Sequence, residues 1–328
     1  MMSGTVLVTG GAGYIGSHTV RRLARDGYRV AVLDNLSKGH RWAVPQDIPL
    51  IVGDIADTAH VAMTIRQFHV TSIIHFAAFS LVGESMIEPR SYYTNNVTGT
   101  LRLLDAMRIS GVDRIVFSSS AAVYGEPASV PILEDSTVAP SSVYGRTKLV
   151  IEGILHDYAA AYGLRSVSLR YFNAAGADPD GGIGEDHDPE THLIPLLLQA
   201  AAGRRPSVSI FGSDYPTADG TCIRDYVHVD DLADAHVLAL ESLERQTEAT
   251  YNLGNGEGFS VRQIIETAQR IVGHDIPVLE AGRRAGDPAV LVASNLLARR
   301  ELGWAPRLAD LEDIVRTAWN WEQHRPIG

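Results

Sequence analysis

Close to the start of the chain, Val6-Leu7-Val8-Thr9 runs directly into Gly10-Gly11-Ala12-Gly13-Tyr14-Ile15-Gly16 and then into a segment of helical period. A short apolar strand, a glycine loop and a helix, in that order, leave few architectures open. Without Cβ atoms, Gly10, Gly13 and Gly16 let the chain turn tightly, let a pyrophosphate approach the backbone and let helix pack on strand. The helix N-terminus then faces the phosphates with N–H groups and a positive partial charge. Asp34 closes a second strand, eighteen residues after Gly16. A carboxylate there accepts hydrogen bonds from two ribose hydroxyls and repels a 2′-phosphate, so the expected cofactor is NAD rather than NADP.

The rhythm that follows fits this start. Thr5–Thr9, Arg29–Asp34, Leu50–Gly53, Ser72–His75, Arg114–Ser118 and Ser166–Arg170 read as strands. Ile15–Arg25, Val61–Phe68, Val97–Ile109 and Tyr144–Tyr162 read as helices between them. Short strands apolar on both faces and separated by helices predict a parallel sheet covered on both sides, a doubly wound α/β domain of Rossmann type. After Phe172 the rhythm breaks. Ala174–Glu190 is a long Gly-, Asp- and Pro-rich loop of the kind that is usually functional. Beyond it are a helix from His192 to Gly203, a strand at Val208–Phe211, helices at Val229–Leu243 and Val261–Val272, and a strand around Tyr251–Leu253. The expected organisation is a nucleotide-binding domain over 1–172 and a smaller α/β substrate part over 173–328, some of it returning to pack on the first.

Composition bounds the function. The 328 residues carry a net charge of −11, which gives no electrostatic reason to coat nucleic acid or an anionic membrane. One cysteine, Cys222, excludes an internal disulfide and Cys-based zinc sites, and no metal is expected. The start lacks a basic and apolar leader, and the apolar run Leu193–Ala202 is too short to span a bilayer. A cytoplasmic protein is expected.

Tyr144-Gly145-Arg146-Thr147-Lys148 opens a helix, and the i, i+4 spacing puts Tyr144 and Lys148 on one face. A tyrosine is a poor base at neutral pH, but a nearby ammonium and a positive nicotinamide ring favour its phenolate. Ser120, in the serine run 118–120 at the end of the fifth strand, can hydrogen-bond a substrate oxygen while the tyrosine moves the proton. Ser118 and Ser119 are alternatives. Asp54, after the third strand, reaches an adenine amino group or caps the next helix. His75-Phe76-Ala77-Ala78 ends the fourth strand with small residues suited to close cofactor approach.

Together these residues resemble the extended short-chain dehydrogenase/reductase superfamily and, within it, the UDP-glucose (UDP-galactose) 4-epimerase family. The match runs through TGGAGYIGSH, DNLSKG, HFAA, YYTNNVTGT, FSSSAAVYGE, RYFNAAGA and RRAGDP, and most specifically through FGSDYPTADGTCIRDYVHVDDLADAH. The resemblance implies oxidation of the sugar at C4 with NAD, rotation of the 4-keto sugar and re-reduction on its other face. Tyr144, Lys148 and Ser120 match the catalytic positions. Tyr14, Ile15, Asn35, Leu36, Ser37, Gly39, Ile55, Phe76, Ala77, Ala78, Ser80, Asn95, Ser118, Tyr171 and Phe172 match the NAD site. Asn173, His192, Leu193, Ser209, Phe211, Arg224, Arg284, Asp287 and Leu291 match the UDP-sugar site. There two arginines can neutralise a diphosphate, Phe211 offers an apolar face near uracil and Asp287 a carboxylate to ribose. The resemblance also implies a homodimer paired through Tyr92–Ile109 and Tyr144–Tyr162.

Three positions depart from many relatives: Ser80 where a lysine is common, Thr191-His192 where some carry paired asparagines, and Leu291 at the pocket wall. A sugar-nucleotide dehydratase needs an acid and a base just after the serine, where this chain has Ala121-Ala122. An epimerase of another UDP sugar (an N-acetylhexosamine, uronate or pentose) and a non-catalytic NAD-binding protein are the alternatives. The second would be marked by loss of Tyr144 or Lys148, and both are present.

Overall fold

The structure, a computed structural model, describes residues 4–284 and 287–325. Residues 1–3 and 326–328 at the two ends, and Ala285-Gly286 of the RRAGDP run, lie outside the described residues. The first part runs β1 (Thr5–Thr9), α1 (Tyr14–Arg25), β2 (Arg29–Asp34), β3 (Leu50–Val52), α2 (Thr58–Phe68) and β4 (Val70–His75). It continues with α3 (Val82–Ile87), α4 (Pro89–Tyr92), α5 (Gly99–Ser110), β5 (Arg114–Ser118), α6 (Val143–Tyr162) and β6 (Arg165–Tyr171). Then come β7 (Asn173–Ala175), α7 (Leu193–Ala201), β8 (Val208–Phe211), β9 (Ile223–Arg224), β10 (Tyr226–His228) and α8 (Val229–Ser242). The chain ends with β11 (Glu248–Leu253), β12 (Phe259–Ser260), α9 (Val261–Val272), β13 (Val278–Ala281), β14 (Val290–Leu291), α10 (Leu296–Leu302) and α11 (Leu311–His324).

Seven parallel strands form the central sheet in the order β3-β2-β1-β4-β5-β6-β11. The period-2 alternation of the strands divides the core in two. Val6, Val8, Val32 and Ile74 point to the face covered by α1 and α8, where they meet Val20, Leu23, Leu232 and Leu240. Leu7, Leu33, Ile73 and Ile115 point to the other face, against Ile65 of α2, Leu104 of α5 and Ile151 of α6. Both faces are covered, which is why these strands read as unbroken apolar runs.

The seventh strand is β11, which lies beyond the expected boundary at residue 172 and pairs with β6 from Glu248↔Ser166 to Leu253↔Tyr171. The rest of the second part is three small sheets, β7-β10, β12-β9-β14 and β8-β13. Their shared core, including Ile194, Leu197, Ile264, Ile314 and Val315, joins α7, α9 and α11. Among the described residues no helix is long and apolar enough to cross a membrane.

Candidate active site

Strand order reverses between β1 and β4, and the crevice outside their C-terminal ends is where doubly wound sheets bind ligands. The glycine loop occupies it. A Cβ on Gly10, whose φ is +73°, would stand 2.5 Å from the backbone nitrogen of Ala77, so only glycine lets the loop cross the end of β4. One on Gly16 would stand 2.2 Å from the carbonyl oxygen of Gly10. At Gly13 the added atom would meet only Gly10 O, at 3.3 Å, and this glycine lines a cavity of about 530 Å³. The first turn of α1 faces the same cavity through Tyr14, Ile15 and Gly16, whose N–H groups have no intrahelical partner.

Asp34 knits this end together. Its Oδ2 accepts from Ala12 N at 3.0 Å and its Oδ1 from Leu36 N at 2.8 Å, leaving each oxygen a further lone pair. Burial raises its pKa, while those backbone N–H groups pull the other way. Asn35, Ser37, Gly39, Ile55, Phe76, Ala77, Ala78, Ser80 and Asn95 also line the cavity. The fit to a dinucleotide is therefore physical: a loop that excludes side chains, a helix N-terminus and a carboxylate at the end of β2. Leu36 is not part of the lining; its φ of 58° turns the side chain onto the core under α1. Asp54 stands just outside, its Oδ1 accepting from Ala56 N at 2.8 Å and its Oδ2 from Asn35 Nδ2 at 3.4 Å. It does not cap the next helix, since Asp57 takes that place by accepting from His60 N.

Midway along the cavity are Ser118, Ser120, Tyr144, Lys148, Tyr171 and Phe172. Helix α6 begins on the side chain of Ser142, which accepts from Gly145 N. That capped first turn presents Tyr144, and Lys148 follows one turn later. The Lys148 ammonium donates to Ser118 O at 2.6 Å and lies 5.7 Å from the Tyr144 ring centroid. Burial drags Lys148 from 10.5 to about 7, with Glu152 opposing the drop. Burial also raises the Tyr144 phenol, against a pull downward from the Ser120 hydroxyl. The lowering expected from the sequence comes from Lys148 and a nicotinamide ring together; in the chain by itself burial keeps the phenol raised. Ser120 also accepts from Ala122 N at 3.1 Å, and Ser118 shares a hydrogen bond with the Tyr171 hydroxyl.

The far end is formed by Asn173, Leu193, Arg224, Asp287 and Leu291, with His192 at the rim. Strand β14 pairs beside β9 so that Leu291 sits in register with Arg224. Arg224 and Asp287, expected to meet different parts of a ligand, are ion-paired with each other. Ser209, Phe211 and Arg284 are not in the lining. Phe211 ends β8, and the Arg284 guanidinium covers its ring 3.9 Å from the centroid.

Some supporting residues escaped the sequence reading. Asn96 is fully buried in a π-helical turn over Tyr93–Thr98. Its amide accepts from Phe79 N at 2.8 Å and donates to Phe79 O at 3.0 Å and Thr147 Oγ1 at 3.1 Å, tying the loop before α3 to the Tyr144 helix. Behind Lys148, Glu152 makes a two-pronged ion pair with Arg170 at 2.6 and 3.0 Å and accepts from Ser119. A π turn at a ligand cleft is the kind of irregularity that marks function, but no residue spacing announces it.

Residues 6–254 match the NAD dependent epimerase/dehydratase family, and the chain belongs to that family. A protein of Halalkalibacterium halodurans named UDP-glucose 4-epimerase is 54% identical over 98% of this chain and 97% of its own length. The crystal structure of UDP-glucose 4-epimerase from Brucella ovis in complex with NAD superposes with a TM-score of 0.95 at 52% identity, over 97% of this chain and 98% of that one. The enzyme of the same name from Bifidobacterium longum, solved with NAD+ and UDP, gives 0.92 at 38% identity, over 97% of this chain and 98% of that one.

Proposed function

We propose that this chain interconverts UDP-glucose and UDP-galactose, with NAD as a cofactor that stays bound through the cycle. The observation that carries the reading is one cavity lined by the glycine loop, by Tyr144, Lys148 and Ser120, and by Arg224. Bound NAD+ supplies a hydride acceptor that serves as donor on the return, and a positive ring charge that favours a neighbouring phenolate. Tyr144 takes the proton of the sugar 4-hydroxyl as C4 is oxidised and gives one back after the 4-keto sugar has turned. Ser120 holds the C4 oxygen, and the Lys148 ammonium favours the phenolate form of Tyr144. Asp34 holds the adenosine ribose. Arg224, released from Asp287 by the ligand, meets the diphosphate, while Asn173, Leu193 and Asp287 anchor the remainder of UDP. Arg284 and Phe211, stacked on each other outside the lining, have to turn toward the ligand to join them. The reaction needs the nucleotide held while the hexose turns, and anchors confined to the far end serve that. Ala121 and Ala122 line the cavity beside Ser120 and carry no transferable proton, which weighs against dehydration.

On this reading residues 1–172, together with the returning α8 and β11, are the cofactor part, and most of 173–328 is the UDP-sugar part. Purified protein given UDP-glucose, UDP-galactose and their N-acetylated forms tests the proposal, with products resolved by chromatography. Conversion between the first two is expected; no conversion of either overturns it.

Leu291 sets the width of the sugar end. It packs against the cluster of Val123, Tyr124 and Ile132 and is shorter than a tyrosine. Packed walls compress little, so exclusion discriminates strongly while spare volume penalises the smaller substrate only modestly. UDP-N-acetylglucosamine is therefore expected to turn over alongside UDP-glucose, and Leu291→Tyr is expected to suppress the N-acetylated reaction far more. Equal loss of both activities, or no change in either, contradicts the assignment.

We also infer a cytoplasmic homodimer. Ala160 and Ala161 on α6 are exposed, as are Val150, Tyr162 and, at the end of α5, Ile109. A second copy packing four helices across a two-fold axis would cover them. Sedimentation at micromolar concentration should give twice the chain mass, and a monomer would refute the pairing.

A further inference from the structure

The segment leading into α7 carries a cluster that the proposed chemistry does not use. Between 185 and 192 the chain reads Glu-Asp-His-Asp-Pro-Glu-Thr-His. One donor atom each from Glu185, His187, Glu190 and His192 all lie within 4.8 Å of one another. His187 Nδ1 stands 3.0 Å from Glu185 Oε1 and 3.9 Å from Glu190 Oε2. His192 Nδ1 meets the same Glu185 oxygen. The orientation of Glu190 is fixed, because its Oε1 accepts from the backbone N–H groups of Thr191 at 2.6 Å and His192 at 2.8 Å. Its Oε2 is left for His187. Glu185 is buried, and its carbonyl accepts from Trp321 Nε1 of α11 at 2.9 Å. Arg325 holds the intervening Asp186 at 2.8 Å, and Lys38 donates to Asp188 O at 3.0 Å. The segment is thus pinned from two other parts of the chain.

Tetrahedral ligands at bonds of about 2.0–2.2 Å lie roughly 3.3–3.6 Å from one another. The two His187 contacts, at 3.0 and 3.9 Å, bracket that span, the His192–Glu185 contact is shorter, and no pair in the cluster exceeds 4.8 Å. We propose that Glu185, His187, Glu190 and His192 bind one divalent transition-metal ion of the zinc class at the rim of the cavity. Two imidazole nitrogens with two carboxylates suit zinc better than magnesium or calcium, which take six or more oxygens. Four protein ligands close the coordination shell, so the ion is structural. It clasps the cavity-lining residues His187, Asp188, Pro189 and His192 onto the start of α7. In the competing state, protons do the same work: burial disfavours charge on His187, but Glu185 and Glu190 outweigh it and raise its pKa to about 10.

The test uses full-length, NAD-loaded protein purified without a metal-affinity tag, stripped with a strong chelator and titrated with Zn²⁺ and Co²⁺. One equivalent of zinc per chain should be retained, cobalt should give the intense visible bands of a tetrahedral centre, and zinc should raise the unfolding temperature. Loss of even an outer-shell partner weakens metal binding by about 10–100-fold, so removal of a ligand should do at least as much. Glu185→Gln, which keeps the side-chain shape, and His192→Asn at the exposed rim are the two variants; NAD content and circular dichroism report their folding. The exposed His274→Ala serves as control and should bind as the parent does. A parent that retains no zinc, or variants that retain it as tightly as the parent, would mean a proton-held cluster and overturn the proposal. The outcome does not depend on the epimerase reading, since no step of the assay measures turnover.

Discussion

Tyr144→Phe is expected to lower epimerisation by about 10²–10⁴-fold while leaving UDP-sugar binding and NAD content close to those of the parent. The ring is buried, and its backbone is held by Ser85, whose Oγ accepts from Tyr144 N at 3.1 Å. Phenylalanine keeps that packing and removes one oxygen, the only proton carrier the mechanism gives to the sugar. Within the protein that phenol is pushed up by burial. The enzyme must therefore find its base in a state the folded chain alone disfavours, which is why loss of the oxygen should fall on kcat and not on KM. Turnover near the parent's, with binding intact, would remove Tyr144 from the mechanism.

Lys148→Met separates function from stability. A fall from 10.5 to about 7 corresponds to roughly 5 kcal/mol of disfavoured charge. Methionine has similar length, fills the same space and has no charge to desolvate. The variant is expected to unfold at no lower temperature than the parent and to lose activity by about 10²-fold or more. The pH dependence has a definite sign. Between about pH 7 and 10.5 the unfolded lysine binds its proton more tightly than the folded one. The parent therefore gains stability from Lys148 as pH rises through that window, and the variant lacks that gain. A variant that is less stable at every pH, or as active as the parent, would make Lys148 a structural residue.

The first part of the chain was legible because its signals are local. Strand, glycine loop, helix and Asp34 lie within thirty residues, and the unbroken apolar runs of β1 and β2 announce two buried faces. The destination of Glu248–Leu253 was not legible, since pairing with β6 joins segments some eighty residues apart and nothing in six residues names a partner. Two-residue strands such as β9, β12 and β14 are too short to show a period, so the sheet that sets Leu291 beside Arg224 left no trace. Helices α10 and α11 lay in a stretch where no motif drew a reading. At the site, residues whose chemistry is their own, such as Tyr144 and Lys148, stood out. Those that act by holding others, such as Asn96 and Glu152, did not, because an asparagine or glutamate in a helix is unremarkable until its partners are known. The 185–192 cluster lay inside a segment read as a functional loop. Its four side chains became visible as a cluster only when folding brought His187 and His192 together on Glu185.

Hydride transfer and proton abstraction at C4 make opposite predictions for solvent label, and that distinction reaches the centre of the account. Purified protein, without added cofactor, is incubated with UDP-galactose in deuterium oxide, and the product is read by proton magnetic resonance and mass spectrometry. The account predicts UDP-glucose carrying ordinary hydrogen at C4, because the hydrogen leaving one face of the sugar is the one that returns to the other. Absence of UDP-glucose, or UDP-glucose with deuterium at C4, would contradict it.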